Sequence, residues 1–287
     1  MSNEKNFRKD IDLIDVQSNV QARATWENKA VGSQRAIAEK GSSEYFEQIK
    51  EYRYGYETPF ISRVFNFNDL DGKNVLEIGV GNGIDAVEMI KNGAIYSGVD
   101  ITENHVDLTK KNIKYNFESD SELIVKRIYN DDLLEMDLNQ KFDVVYSFGV
   151  LHHIQHEKSY LLKIQQLLNN NGQLRIAVYA KYSFFNCWLI FTWVVRNKMK
   201  NSMSDWQSHI AEGSELGNPV VIKIRSKKEV VRLLENSGFE ILNYSRNGFV
   251  QGYIPIAGKY LNPRGRTLRF LAKFLGWYHC IICTPNK

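Results

Sequence analysis

Residues 75–85, VLEIGVGNGID, set three glycines at alternate positions directly behind a short apolar run. A strand that ends in such a loop and continues as a helix is the ligand-facing turn of an open α/β sheet. Glycine lets the backbone turn tightly there and approach a bound molecule with no Cβ atoms in the way. The segment therefore calls for a parallel sheet around it. It says that something lies close to the backbone, without saying what.

The rest of the chain supplies that sheet. From about residue 74, short β-type runs alternate with longer helical ones: NVLEIG (74–79), a helix beginning near Gly83, AIYSGVD (94–100), a polar helix near 103–116, ELIVKRIY (122–129), FDVVYSF (142–148), a helix around 157–169 and GQLRIAVYA (172–180). Strands that recur with helical crossovers imply a doubly wound α/β fold with helices on both faces. The alternation breaks at 181–225, which is longer than an ordinary αβ connection and reads as a helical lid. Order returns at Ser226, where SKKE is a capping box, and the helix it opens stops at Gly238. FEILNYS and WYHCIICT add two more strands. With 287 residues, 43% of them apolar, one elaborated domain is expected. Its parts are an N-terminal helical cap segment (1–70), an α/β core (71–180), the insertion (181–225) and the C-terminal part of the core (226–287).

Spacing narrows the ligand. A dinucleotide fingerprint, G-x-G-x-x-G, seats a pyrophosphate on a helix N-terminus, but here the third glycine comes one residue early and Ile84 stands in the fingerprint's glycine position. Glu77, just before the loop, suits an ammonium group better than a phosphate. Asp100 ends the next strand, 21 residues after Gly79, where a carboxylate can accept from both hydroxyls of a ribose. Asp131 follows the third strand at the same edge and could accept from an adenine amine.

Together these stretches resemble the class I S-adenosylmethionine-dependent methyltransferases, in particular the small-molecule, type 11/25-like members. LEIGVGNG is similar to their E/D-x-G-x-G-x-G motif, SGVD to the ribose-binding strand end, NDDLLEMDLNQKFDVVYS to the adenine-side loop and fourth strand, and GVLHHI to the stretch that follows. NNNGQLRIAVY resembles the turn and fifth strand, with Asn170 where proline is frequent. The resemblance implies a seven-stranded, mostly parallel sheet with the last strand antiparallel. It implies that Glu77 and the backbone of Gly79, Gly81 and Gly83 hold the methionine part of the cofactor. Asp100 would hold the ribose, Asp131 and Asp132 would border the adenine, and Ile101 and Phe148 would pack near its ring. S-adenosylhomocysteine would be the product.

Methyl transfer from a sulfonium needs a placed nucleophile, a dry site and, for a hydroxyl or ammonium acceptor, a base. His152 and His153 follow the fourth strand on the cofactor edge and are the candidate bases. Tyr179 and Tyr182, at the end of the fifth strand, are candidate substrate walls, as are Tyr45, Arg53 and Tyr54 in YFEQIKEYRYG, which resembles the cap helix of small-molecule members. His209, Glu212 and Trp206 in the insertion are weaker candidates. A cap of this kind implies an enclosed site for a small metabolite, methylated on O, N or C, and no nucleic-acid partner.

Other features bound the setting. Cys187, Cys280 and Cys283 are an odd set in a long chain, which favours a reducing compartment. Cys280 and Cys283 would point to opposite faces of a strand, so no metal is expected of them. The N-terminus lacks the apolar run of a signal peptide, and a cytoplasmic location follows. SFFNCWLIFTWVV (183–195) is too short to span a bilayer. No Asp or Glu follows Glu240, so the tail from 241 onward carries +7 against −3 for the rest. That tail and the apolar helix raise one alternative, peripheral membrane contact with a quinone or lipid-like substrate. Another is a protein that binds S-adenosylmethionine without methylating. Oligomeric state is not legible.

Overall fold

The computed structural model describes residues 22–27, 30, 32–117 and 121–286. The reading of the extreme N-terminus and of Lys287 lies outside the described residues. Seven strands form one sheet: β1 (Asn74–Ile78), β2 (Ile95–Asp100), β3 (Ile128–Asn130), β4 (Phe142–Phe148), β5 (Leu168–Tyr179), β6 (Phe239–Asn247) and β7 (Tyr278–Pro285). Their order is β3-β2-β1-β4-β5-β7-β6. The strands from β1 to β5 pair in parallel, and β7 runs antiparallel between β5 and β6. The chain winds outward from β1 to β3 and then returns to β4, so the winding reverses between β1 and β4, where Ile78 stands beside Ser147. A crevice opens beyond the carboxyl ends of strands at such a reversal.

Among the described residues, eight helices of eight or more residues surround the sheet: α1 (Ser43–Tyr52), α2 (Ile84–Lys91), α3 (Glu103–Phe117), α4 (Glu157–Leu167), α5 (Phe184–Val195), α6 (Met203–Glu212), α7 (Lys227–Asn236) and α8 (Arg266–Leu275). β1 shows why both faces need cover. Leu76 and Ile78 enter one core cluster with Leu161 and Ile164 of α4, while Val75 enters the other with Met89 of α2 and Val106 of α3. Cys283 and Cys280 divide between the same two clusters. Burial pushes the Cys280 thiol up to about 12, so both behave as small apolar side chains.

α1 packs across the edge of this framework, burying Tyr45, Phe46 and Ile49 against Ile84 of α2 and Leu108 of α3. Ser42 caps it, accepting from the Tyr45 N–H at 3.1 Å, and a π-type turn, Arg53–Glu57, continues it toward the strand ends. The Ser226 capping box of α7 is formed as its sequence requires, and Gly238 leaves that helix with φ 77°.

One expectation changes. ELIVKRIY is not one strand: Ser121–Val125 is a short helix, and only Ile128–Asn130 pairs, with β2 alone. A short apolar run reads equally well as buried helix or strand, and an edge position leaves little ladder to extend it. The aromatic helix of the insertion, α5, is not enclosed. It buries Asn186, Leu189 and Thr192 and exposes Trp188, Phe191, Val194 and Val195. No described helix is long and apolar enough to cross a membrane.

Gly83, at the start of α2, lies close against α3. Its φ is +71°, and a Cβ there would lie 2.9 Å from the Thr109 Cα, a backbone atom that cannot swing aside. Gly83→Ala is expected to lower unfolding free energy by about 1–3 kcal/mol, read as a fall in the urea midpoint at unchanged slope.

Candidate active site

A cavity of about 530 Å³ opens at the carboxyl ends of β1, β2 and β4, roofed by the turn after α1 and by α5 and α6. Glu77, Gly79, Gly81, Asp100, Ile101, Asp131, Asp132 and Phe148 all line it. Glu77 is buried, and the Tyr96 hydroxyl donates to its Oε2 at 2.5 Å. Burial and the nearby Asp85 charge push its pKa well above the usual carboxylate range, so a cation brought beside it would restore its charge. Gly98 makes room for this contact: a Cβ there would sit 2.8 Å from the Tyr96 hydroxyl.

Asp100 is handled in the opposite way. Its Oδ1 accepts from the Thr102 N–H and hydroxyl at 3.0 and 2.8 Å, its Oδ2 from the Gly81 N–H at 3.3 Å, and His105 Nδ1 lies 3.3 Å from Oδ2. Burial works against its charge, but His105 and Thr102 outweigh it and hold the pKa below the usual value. Asp131 is tied to the same strand end, its N–H donating to the Asp100 carbonyl at 3.0 Å.

Above the loop, the first turn of α2 carries Asp85, which the sequence reading did not single out. Arg53 forks onto it at 2.8 and 2.5 Å, and the Tyr54 and Tyr146 hydroxyls donate at 2.7 and 2.8 Å. Burial opposes the Asp85 charge, yet Arg53 and the two tyrosines keep its pKa below the usual value. Arg53 also lies 4.9 Å above the Phe148 ring, so one guanidinium joins the cap, α2 and the end of β4.

The far half of the cavity is aromatic and acidic. His153 and Tyr179 line it, with Trp26, Phe185, Tyr253, Trp277, Tyr278, Glu57 and Glu212. His153 Nδ1 lies 2.7 Å from the Val221 carbonyl, an atom that only accepts, so Nδ1 carries the hydrogen. Its Nε2 then faces Glu212 Oε2 at 3.6 Å. His152 sits behind, fully buried, stacked on Tyr179 at 3.7 Å, and among the described residues neither ring nitrogen has a hydrogen-bond partner. Burial drives its pKa well below the usual value and keeps it neutral. The ligating atoms of His152, His153 and Glu212 lie within 4.8 Å of one another.

Several expected lining residues are elsewhere. Tyr45 supports the glycine loop from beneath, donating to the Asn82 side chain at 3.1 Å, and Tyr54 is spent on Asp85. Gly83 serves helix packing, and His152 lies behind the wall. Tyr182 is 65% exposed because the chain leaves the sheet soon after Tyr179, where Ala180 still bridges Arg225. His209 and Trp206 bind within the insertion, to the Ser214 carbonyl and the Thr192 hydroxyl. The residues missed, Asp85, Glu57, Tyr253, Trp277 and Tyr278, come from four separate stretches. RYGYE was the one local signal, through its aromatic run beside Arg53.

With this geometry in hand, the methyltransferase domain family matches residues 48–244. The chain belongs to it. S-adenosylmethionine is the cofactor of this family. Among curated relatives, the ubiquinone biosynthesis O-methyltransferase of Pasteurella multocida is 31% identical over 113 residues, 37% of this chain and 46% of that protein. The protein of the same name from Coxiella burnetii is 29% identical over 106 residues, 37% and 43% respectively. The chain thus matches less than half the length of these relatives. The fold is shared along nearly the whole chain with magnesium protoporphyrin IX methyltransferase from Synechocystis PCC 6803, at TM-score 0.55 and 12% identity, covering 94% of this chain and 97% of that one. A Clostridium acetobutylicum S-adenosylmethionine-dependent methyltransferase aligns at TM-score 0.50 and 11% identity, over 84% and 98%.

Asp85→Ala leaves a buried guanidinium unpaired and is expected to cost about 3 kcal/mol. Because the folded pKa lies below the ordinary 3.8, the stability this carboxylate contributes is complete above that value and is lost as pH falls through the folded pKa. Unfolding free energies of parent and variant should therefore converge as pH falls below about 4.

Proposed function

We propose that the chain transfers a methyl group from S-adenosylmethionine to a hydroxyl or amine of a small metabolite held in the capped cavity. The observation that carries this reading is the arrangement of that one cavity: the acids at the strand ends occupy one half, and the His153–Glu212 pair with its aromatic walls occupies the other. The residues present fit the cofactor. Gly81 and Gly149 both line the cavity, both have positive φ, and no atom lies within 4 Å of where a Cβ would stand, which leaves open space over the loop. Glu77 would take the amino-acid ammonium, Asp100 the ribose hydroxyls, and Asp131 with the Asp132 backbone the adenine edge, with Ile101 and Phe148 beside the ring.

When bound, S-adenosylmethionine supplies an electrophilic methyl group on a sulfonium. The chain's own residues do the rest. The cap, locked by Arg53 on Asp85, excludes water, and the aromatic walls orient the acceptor for in-line attack. His153, its Nδ1–H held by the Val221 carbonyl, offers Nε2 to the proton that the acceptor loses, and Glu212 stabilises the imidazolium so formed. Tyr179 braces His152 behind it, so His152 positions and does not react.

Paired variants test the division of labour. Asp100→Ala should weaken S-adenosylhomocysteine binding by about 10–100-fold in calorimetry, the loss of charge-assisted hydrogen bonds; unchanged affinity would refute the ribose assignment. His153→Ala should leave that affinity intact and slow turnover by about 10²–10⁴-fold. Methyl-labelled S-adenosylmethionine incubated with a small-molecule extract should yield labelled low-mass products. A protein that binds cofactor and labels nothing would be a non-catalytic binder.

A second reading, a quinone or lipid-like substrate met at the membrane surface, is favoured by α8. That helix exposes Phe270 and Phe274, 59% and 60% accessible, among Arg266, Arg269 and Lys273, the composition of an interfacial helix. On this reading the protein floats with anionic liposomes at low salt and is released at high salt; no salt-sensitive flotation counts against it.

A further inference from the structure

The lining of the cavity reverses the charge of the chain. The whole sequence is +4, yet among the described residues seven carboxylates and two guanidiniums line this one space. Arg53 is committed to Asp85, and Arg35 lies over the Tyr52 ring at 4.7 Å. In the half away from the glycine loop, Glu57 and Glu212 are the charged acceptors. Glu57 makes no hydrogen bond to a described residue, and burial raises its pKa. Among the described residues, Glu212 keeps one buried oxygen, Oε1, without a hydrogen-bond partner. Its other oxygen faces His153 Nε2, which is an acceptor in the neutral ring because Nδ1–H is spent on Val221. The Tyr179 hydroxyl reaches Glu212, yet two acceptors 3.6 Å apart and a carboxylate oxygen short of a partner describe a place that takes a further donor.

The walls around it are π faces. Tyr179 and Trp277 stack at 4.3 Å, and Phe185 meets Trp277 edge-on at 5.0 Å. Trp26 meets the His153 ring edge-on at 4.8 Å. Carboxylates at one end and aromatic faces along the sides are what a desolvated organic ammonium requires, through charge-assisted hydrogen bonds and cation–π attraction. An anionic ligand would meet like charge from Glu57 and Glu212.

We infer that the substrate is a small molecule bearing a protonated amine, which this half of the cavity binds through Glu212, Glu57 and His153 Nε2 against the aromatic walls. The inference rests on the small-molecule methyltransferase reading above and names its substrate class.

The test uses the full chain saturated with S-adenosylhomocysteine and three probes of one shape, phenethylammonium, 2-phenylethanol and phenylacetate, titrated by calorimetry. The ammonium should bind at least about tenfold more tightly than the alcohol, a difference of about 1.4 kcal/mol, and phenylacetate should not bind. Glu212→Gln and Glu57→Gln should each erase most of that preference while S-adenosylhomocysteine affinity stays as in the parent, which also reports that the variants are folded. Equal binding of ammonium and alcohol, or preference for phenylacetate, overturns the inference with the cofactor reading intact. Failure of S-adenosylhomocysteine to bind the parent overturns the cofactor reading instead. Zinc or manganese binding that His152→Ala and Glu212→Gln abolish, with no ammonium preference, would make the same acceptors a metal site and overturn the amine.

Discussion

The contact on which most of the site depends is the buried fork of Arg53 on Asp85. Asp85 stands in the first turn of α2, directly after the glycine loop, while Arg53 begins the turn that follows α1. Cap and loop belong to different parts of the chain, and this ion pair makes them one object. Buried pairs of this kind contribute little net stability against an apolar alternative, but they impose a single geometry because neither charge tolerates being left alone. Tyr54 and Tyr146 complete the set of donors, so the cap, the loop and β4 share one hydrogen-bonded centre. A rigid floor and a rigid roof are then the same feature, and the volume between them is defined before any ligand arrives.

Three acids buried within one region would repel one another if all were treated alike. The chain solves the problem by giving each a different environment. Asp85 receives a guanidinium, Asp100 receives backbone and hydroxyl donors with His105, and Glu77 receives one phenol and is left prone to hold its proton. The strand ends are therefore graded: two settled charges and one waiting for a partner. Between Glu77 and Asp100 the difference comes from β2 and the turn after it, where Gly98 admits the Tyr96 hydroxyl and Thr102 closes on Asp100.

Much of the core could be read in advance because its signals are local. The loop glycines, the strand-end acids and the Ser226 capping box each declare themselves within a few residues, and their geometry depends on little else. What stayed hidden depends on pairs that are distant in sequence. Nothing near Asp85 announces Arg53, and nothing near Trp277 announces Tyr179. Tyr45, Tyr54 and Tyr182 show the limit from the other side. All three sit at plausible positions along the chain, but two support loops from behind and one faces away, because which way a side chain points is decided by packing and not by proximity in sequence. The short helix Ser121–Val125 failed for a related reason, since a brief apolar run at a sheet edge has no periodicity long enough to choose its own form.

The placement of β7 bears on how the site comes into being. It follows β6 in the chain but lies between β5 and β6, so β6 has no place in the sheet until β7 inserts. The residue leading into that strand, Trp277, and its first residue, Tyr278, are also walls of the cavity. The aromatic half of the pocket is therefore incomplete in a partly folded chain that holds only the glycine-loop half. Closing the sheet and completing the pocket are one event, and a chain that lacked β7 would present its strand-end acids with no Trp277 or Tyr278 wall beside them.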